Sequence, residues 1–411
     1  MHSFKFPEMR AGHLIQIFSV FMFSCLITSC HFKGKNEDQN YPLQKTDSCV
    51  QHPAHSYEIF IPEHKNPDQK LPLLVAVDAH GSGQTAVTHL KEAVTSFPAV
   101  LVASNLIQNS DPNFIKELDE LIADVKKRYP VNDQVYLTGF SGGARMVLGY
   151  AMNHPVNGVL ACGAFSGTDQ LSAIKCSVMG LLGMTDFNFL ETVQYIFDPA
   201  KLPDNAHVEL INGSHEWPDS SKLTNSWGWF WLQDQNIDEA TKVKLYVDEQ
   251  KARIDSLTDG GQYLQAACIS RNMGFVEAFE KIFSFREKTR EITYSKDYSN
   301  QLSKLSDVLR FEVGKRQEYS QALLEKDSTW WKKEIDDLNN HVDREPDEMK
   351  QMAYARLKSF LGIACYSYAS RFVVQKNIAD LEQILMVYRL AEPNNADLKR
   401  FNKFLTELRG Q

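Results

Sequence analysis

Gly139-Phe140-Ser141-Gly142-Gly143 is the stretch on which the fold turns. It follows the apolar run Val135-Tyr136-Leu137 and precedes a helix-forming stretch, Ala144 to Met152. The order is strand, sharp turn, helix, with a serine at the apex. Glycines at both ends of G-x-S-x-G permit a turn that Cβ atoms would forbid. Such a turn holds the serine hydroxyl clear of the sheet, where a base can reach it. The five-residue motif alone recurs by chance in large proteins, and the strand–turn–helix context gives it weight here.

Outward from the motif, Tyr57 to about Gln233 alternates short apolar runs with helix-length segments. Strands are expected at Tyr57–Ile61, Leu73–Val77, Val100–Ala103, Val135–Thr138, Gly158–Gly163, Val178–Gly183 and Val208–Ile211. Most are continuously apolar, as strands covered on both faces are. Helical stretches such as Phe114–Tyr129 and Phe189–Phe197 lie between them. This alternation specifies the α/β class with a doubly wound, mainly parallel sheet. After about Asn236 strand-like runs vanish and charged, helix-forming sequence takes over, so an all-α helical domain follows. There Ala353, Leu357, Phe360, Leu361, Ala364 and Tyr368 fall on one helical face. The stretch Tyr388 to Asn394 resembles the end of a tetratricopeptide unit, without a second copy, so a generic helical bundle is the expectation.

A chain of 411 residues suits two domains. Its 43% hydrophobic and 23% charged content is that of a globular protein. A net charge of −8 with no basic stripe argues against nucleic acid as a partner. Lys5 and Arg10 precede an apolar stretch, Leu14 to Ile27, too short for a comfortable membrane span. It ends in Leu26-Ile27-Thr28-Ser29-Cys30, which resembles the lipobox of bacterial lipoproteins. That resemblance implies cleavage before Cys30, lipidation of its thiol and a place in the bacterial cell envelope, at the outer membrane. An ordinary signal peptide is the alternative, and Met9 is a second candidate start. The expected divisions are a lipoprotein signal peptide at 1–29, a flexible tether at 30–50, an α/β domain at 51–235 and a helical domain at 236–411. The seven cysteines show no metal-binding spacing, so no metal is expected; Cys162 and Cys176 are the nearest candidate pair for a disulfide, with buried free thiols the alternative.

Serine is a weak nucleophile until a base lies within hydrogen-bond reach and a third group orients that base. Asp186 follows the run Val178–Leu182 through Gly183-Met184-Thr185, at the strand end where ligands bind in such sheets. It would equally serve as a helix N-cap before Asn188 and Phe189, and Asp169 is its rival as the acid. His215 follows the strand Val208–Ile211 through Asn212-Gly213-Ser214, in a loop able to swing over Ser141. Trp217, two residues on, is a candidate for lining the substrate cleft or for packing the loop. The run Trp227 to Trp231 reads as core or as a surface meeting the helical domain, and Arg145 as a helix-face ion pair.

Four pieces together resemble an α/β-hydrolase: His80-Gly81-Ser82-Gly83, Gly139–Gly143, Gly183–Asp186 and Gly213–Pro218. They are similar to the dienelactone-hydrolase and feruloyl-esterase/polyhydroxybutyrate-depolymerase branches, over roughly Tyr57–Gln233. The family's chain order of serine, acid, histidine is met by Ser141, Asp186 and His215. The resemblance implies carboxylic-ester hydrolysis without metal or organic cofactor, with backbone N–H groups of Ser82 and Gly142 as the oxyanion hole and His80 bracing its loop. A serine peptidase or acyltransferase, or a catalytically silent hydrolase-fold lipoprotein that binds partners through its helices, are the alternatives. The family often inserts a lid between strands six and seven; here Ala164 to Ser177 is too short for one, so an open site, suited to an ester on a small molecule or a bulky polymer, is expected unless the helical domain covers it.

Overall fold

The apolar runs become strands because both their faces are covered. Those at Leu71–Val77, Val100–Ser104 and Gly158–Cys162 are buried at every residue. The computed structural model describes residues 41–64, 69–109, 111–233 and 240–410. The expected signal peptide, Cys30 and most of the tether lie outside the described residues. The described residues form one compact unit.

Eight strands make one sheet: β1 (Leu43–Ser48), β2 (Ser56–Ile61), β3 (Leu71–Val77), β4 (Val100–Ser104), β5 (Val131–Phe140), β6 (Gly158–Cys162), β7 (Ser177–Gly183) and β8 (Ala206–Ile211). Their spatial order is β1-β2-β4-β3-β5-β6-β7-β8. Only β2 runs against its neighbours; β4 through β8 are parallel. This is the doubly wound, mainly parallel sheet expected of an α/β-hydrolase. All the expected strands are present, with ends shifted by a few residues. β1 is a correction: Leu43–Ser48 falls in the stretch read as tether, yet it pairs in register with β2 from Leu43↔Ile61 to Ser48↔Ser56. Its Lys45, Thr46 and Asp47 carry no apolar alternation, because an edge strand is held by its backbone ladder and leaves much of its side-chain surface in water.

Six helices belong to the sheet's segment: α1 (Gly83–Ser96), α2 (Phe114–Arg128), α3 (Gly142–Ala151), α4 (Thr168–Ala173), α5 (Val193–Phe197) and α6 (Ser220–Gln233). The stretch expected as one helix over Phe189–Phe197 is divided into a short 3-10 turn at Phe187–Glu191 and α5. The remainder is helical: α7 (Ala240–Asp259), α8 (Tyr263–Phe275), α9 (Glu277–Glu280), α10 (Phe285–Thr293), α11 (Lys296–Ala322), α12 (Ser328–Arg344), α13 (Glu348–Gln375), α14 (Ile378–Ala391) and α15 (Asp397–Arg409).

Two apolar cores organise these elements. One joins the sheet to α6, α7, α8 and α10 and reaches Leu305 and Ala353; the other is built from the end of α11 with α12 to α15. The tryptophans of α6 stitch the first. The Trp227 indole donates to the Phe97 carbonyl at 2.7 Å, Trp231 to that of Pro98 at 3.1 Å, and Trp229 to Asn272 on α8 at 3.0 Å. The five described cysteines, Cys49, Cys162, Cys176, Cys268 and Cys365, are free thiols, Cys162 and Cys176 included.

His207 sits on β8 between the rings of Trp229 and Phe275, at 5% exposure. Burial there pushes its pKa down to about 4. Unfolded, the same ring titrates near 6.5. The fold therefore keeps its full stability from this group above the unfolded value and loses it as pH falls toward about 4. In His207→Phe that proton uptake is gone. The difference in unfolding free energy between variant and wild type should grow by about 1.4 kcal/mol per pH unit between pH ~6 and ~4.5, read by urea denaturation. Parallel curves would show that His207 is not the responsible group.

Candidate active site

Ser141 lies at the apex between β5 and α3, at φ 55 and ψ −116. A non-glycine residue at positive φ is uncommon and signals a constraint imposed by its surroundings. Its N–H donates to the Cys162 carbonyl at 2.8 Å. Gly143 is required by contact with backbone as well as by the turn, and Gly142 stands against a side-chain tip that a Cβ would displace. A Cβ on Gly143 would stand 2.1 Å from the Val77 carbonyl oxygen, and one on Gly142 would stand 1.5 Å from Asn109 Oδ1. The helix start thus presses against the end of β3.

Asp186 and His215 reach the same point from the exits of β7 and β8. Those exits are tied together: Met184 N–H donates to Ile211 O at 2.8 Å, and the Thr185 hydroxyl to Gly213 O at 2.6 Å. His215 Nε2 lies 2.8 Å from Ser141 Oγ. His215 Nδ1 lies 2.9 Å from both carboxylate oxygens of Asp186. An ionised carboxylate only accepts, so the ring proton belongs on Nδ1 and leaves Nε2 to accept from the serine hydroxyl. The imidazole is wedged between Phe140 and Phe187, with centroids at 4.9 and 4.2 Å. Asp186 is fully buried, and its Oδ1 also accepts from the Asn188 N–H at 2.7 Å. The two readings of Asp186, cap and partner of histidine, are therefore both met by one carboxylate. Asp169 lies exposed on α4.

Ser82 is the N-cap of α1 and Gly142 the first residue of α3. Backbone N–H groups at these positions have no intrahelical acceptor and stand at the positive end of the helix dipole. The loop carrying Ser82 is held by its neighbours: Gly81 N–H donates to Asp78 O at 3.1 Å, Gly83 N–H to Asn105 Oδ1 at 3.0 Å, and Asn109 N–H to Ala79 O at 2.9 Å. The His80 side chain is 82% exposed, 3.5 Å from Asp78 at its nearest approach.

Asp78 is the residue that reading the sequence missed. Its side chain is buried, and Oδ1 accepts the His80 N–H at 2.8 Å while Oδ2 accepts the Trp217 indole N–H at 2.8 Å. One carboxylate thus joins the Ser82 loop to the His215 loop. Trp217, expected at the cleft, is only 6% exposed and packs between Phe140 and His89. Arg145 pairs with Glu191 at 2.6 Å, and Glu191 also accepts the Phe165 N–H. Between β6 and β7 only the six-residue α4 forms, and the His215 side chain keeps 19% of its surface exposed. Among the described residues no cluster of side chains suited to a metal ion occurs, and no helix is long and apolar enough to cross a membrane.

No protein-family model matches the chain, and no curated protein does. Solved structures similar to it include an S-formylglutathione hydrolase from Staphylococcus aureus, at 12% identity and a TM-score of 0.38, covering 46% of this chain and 95% of that one. Est1E from Butyrivibrio proteoclasticus is similar at 13% identity and a TM-score of 0.36, covering 46% of this chain and 98% of its own. A feruloyl esterase module from Clostridium thermocellum, solved with sinapinate, is similar at 13% identity and a TM-score of 0.37, covering 45% and 84%.

Asp78 and Trp217 can be tested without any substrate. Trp217→Phe keeps the ring and removes the donor, leaving a buried carboxylate oxygen short of one partner. The expected cost is ~1–3 kcal/mol of unfolding free energy, measured by urea titration. An unchanged midpoint would mean that this hydrogen bond holds nothing together.

Proposed function

We propose that this chain is a serine hydrolase that cleaves carboxylic esters through an acyl-enzyme on Ser141. The observation that carries the reading is the unbroken line from Ser141 Oγ through His215 to Asp186, at 2.8 and 2.9 Å. As the serine oxygen attacks the ester carbonyl, its proton passes to His215 Nε2. Asp186 keeps the ring in the required tautomer and stabilises the imidazolium that forms. The tetrahedral oxyanion is received by the Ser82 and Gly142 N–H groups, which stand at the starts of α1 and α3. Collapse of the intermediate returns the proton from Nε2 to the departing alkoxide, which leaves as the alcohol. Water then repeats the sequence on the acyl-serine and releases the carboxylic acid. No metal or organic cofactor has a step in this scheme.

The short β6–β7 connection supports substrates that approach without a folded lid, including acyl or aromatic esters displayed on polysaccharide. The Cys30 lipobox supports a lipid-anchored protein of the bacterial envelope, its helices available to a protein partner. Trp217 fits a positioning role beneath the histidine loop better than contact with substrate.

A fluorophosphonate probe tests the reading directly. Wild type should be labelled and turn over p-nitrophenyl acetate. Ser141→Ala should lose the label, and kcat should fall by at least ~10³-fold in Ser141→Ala and His215→Gln. Folded wild type that takes no label would point to a silent scaffold, and turnover of peptides in place of esters to a peptidase. Cys30→Ser should abolish metabolic incorporation of a fatty-acid analogue into the expressed protein; incorporation that survives would remove the lipid anchor from Cys30.

A further inference from the structure

The helical region reaches the active site through two buried charges, Glu312 and Arg356, and the half-buried Arg316. Glu312 on α11 is fully buried. Its Oε2 accepts from Arg356 of α13 at 2.9 Å (Nε) and 2.6 Å (Nη2), and its Oε1 from Arg316 at 2.7 Å (Nη2). Each arginine has a further hydrogen bond, and both go to the loop that carries Asp186. Arg356 Nη1 donates to the Met184 carbonyl at 2.5 Å and Arg316 Nη2 to the Phe187 carbonyl at 3.0 Å. The two carbonyls bracket Asp186. Aromatic rings fix the guanidinium planes: Phe189 lies 4.7 Å from Arg356 Cζ and Phe360 lies 4.8 Å from Arg316 Cζ.

Simple docking of helices onto a loop would not need this arrangement. A buried ion pair is often no more stabilising than apolar residues of the same volume. A guanidinium held by a carboxylate and an aromatic face instead presents its remaining N–H bonds in fixed directions. Those directions are spent on the two backbone oxygens beside the acid. The Phe187 ring, whose own carbonyl Arg316 holds, packs against the His215 imidazole at 4.2 Å. Burial pushes the Arg316 guanidinium below its ordinary pKa, and the Glu312 and Asp186 carboxylates oppose that shift, so Arg316 stands within electrostatic range of the acid itself.

We propose that Arg316 and Arg356 are positioning residues for Asp186, which makes the helical region part of the hydrolytic apparatus. By holding the Met184 and Phe187 carbonyls they fix the carboxylate against His215 Nδ1. A displacement of the acid by a fraction of an ångström would misalign the base at the moment of proton transfer. The inference rests on the hydrolase reading for its kinetic consequence, but its geometric content can be read separately.

The test is Arg316→Met in the full chain, at the less buried of the two arginines, with the fold checked by circular dichroism. Expected is a fall of about tenfold in kcat for p-nitrophenyl acetate with KM within about twofold. The strongly downfield NMR resonance of the His215 Nδ1 proton should broaden or shift upfield. Arg316→Lys, which keeps the charge and a donor, should recover most of the rate. Should Arg316→Met fail to fold, Arg316→Gln makes the same comparison. A folded neutral variant with wild-type kcat and an unchanged resonance overturns the inference. Loss of the resonance change alone, in a wild type that takes no fluorophosphonate, would overturn the hydrolase reading together with this one; a wild type that is unlabelled but whose resonance shifts in Arg316→Met would overturn only the hydrolase reading.

Discussion

Everything in the site is arranged around a backbone conformation that the chain would not adopt unaided. Ser141 at φ 55 and ψ −116 lies outside the regions open to most residues, at a cost on the order of 1–3 kcal/mol. Such a residue persists only where its surroundings over-determine it. Here β5 is paired in register on both sides, with β3 up to Val77↔Gly139 and with β6 up to Phe140↔Cys162. Pairing therefore continues to the residue before the serine. The next hydrogen bond, from Ser141 N–H to Cys162 O, continues it one step further. On the far side, α3 can begin only because nothing larger than glycine stands between it and the Val77 carbonyl. The strain is thus carried by the centre of the sheet, where β5 is paired on both sides.

Given that fixed serine, parallel pairing does most of the remaining work. Gly183 of β7 is opposite Ile211 of β8. Asp186 lies three residues beyond the first and His215 four beyond the second, so the two loops leave the sheet side by side and their side chains need to span little distance. β5 is separated from β7 by β6 alone. Three residues far apart in sequence meet because their strands all end at one edge, where this class of sheet places its ligands.

These features were legible in the sequence for a physical reason. A positive-φ turn demands glycines, a strand buried on both faces demands a continuous apolar run, and a side chain at a strand's end is placed by counting. What escaped reading lacks any such local signature. β1 is polar because its edge position leaves side chains in water, so Leu43–Ser48 looked like tether. Asp78 stands between a strand and a glycine-rich loop with nothing in its neighbours to show that Trp217, 139 residues away, is its partner. Likewise, the periodicity of α11 and α13 shows which face is buried but not that Glu312 and Arg356 lie on it together. Non-local polar pairs leave no period in the chain, and they are what joins one loop of this site to another.

The helical region bears on both loops of the site, not on the acid alone. α8 packs along β8, where Asn272 Nδ2 donates to Val208 O at 3.1 Å, and Arg253 of α7 pairs with Glu209 at 2.8 Å. Gln265 donates to Asn212 Oδ1 at 2.9 Å, within the loop that ends in His215. The histidine loop is therefore backed by α7 and α8, and the acid loop by α11 and α13. Asn272 and Arg253 meet β8 itself, and the other contacts fall on the loops that leave β7 and β8; β8 is last in the sheet and in an open α/β sheet would form an exposed edge. Covering that edge removes its unpaired ladder groups from water and stiffens the two loops that must hold an imidazole to within hydrogen-bond tolerance. With only the six-residue α4 between β6 and β7, this sheet gains its rigidity from behind, through helices that hold the loops carrying Asp186 and His215.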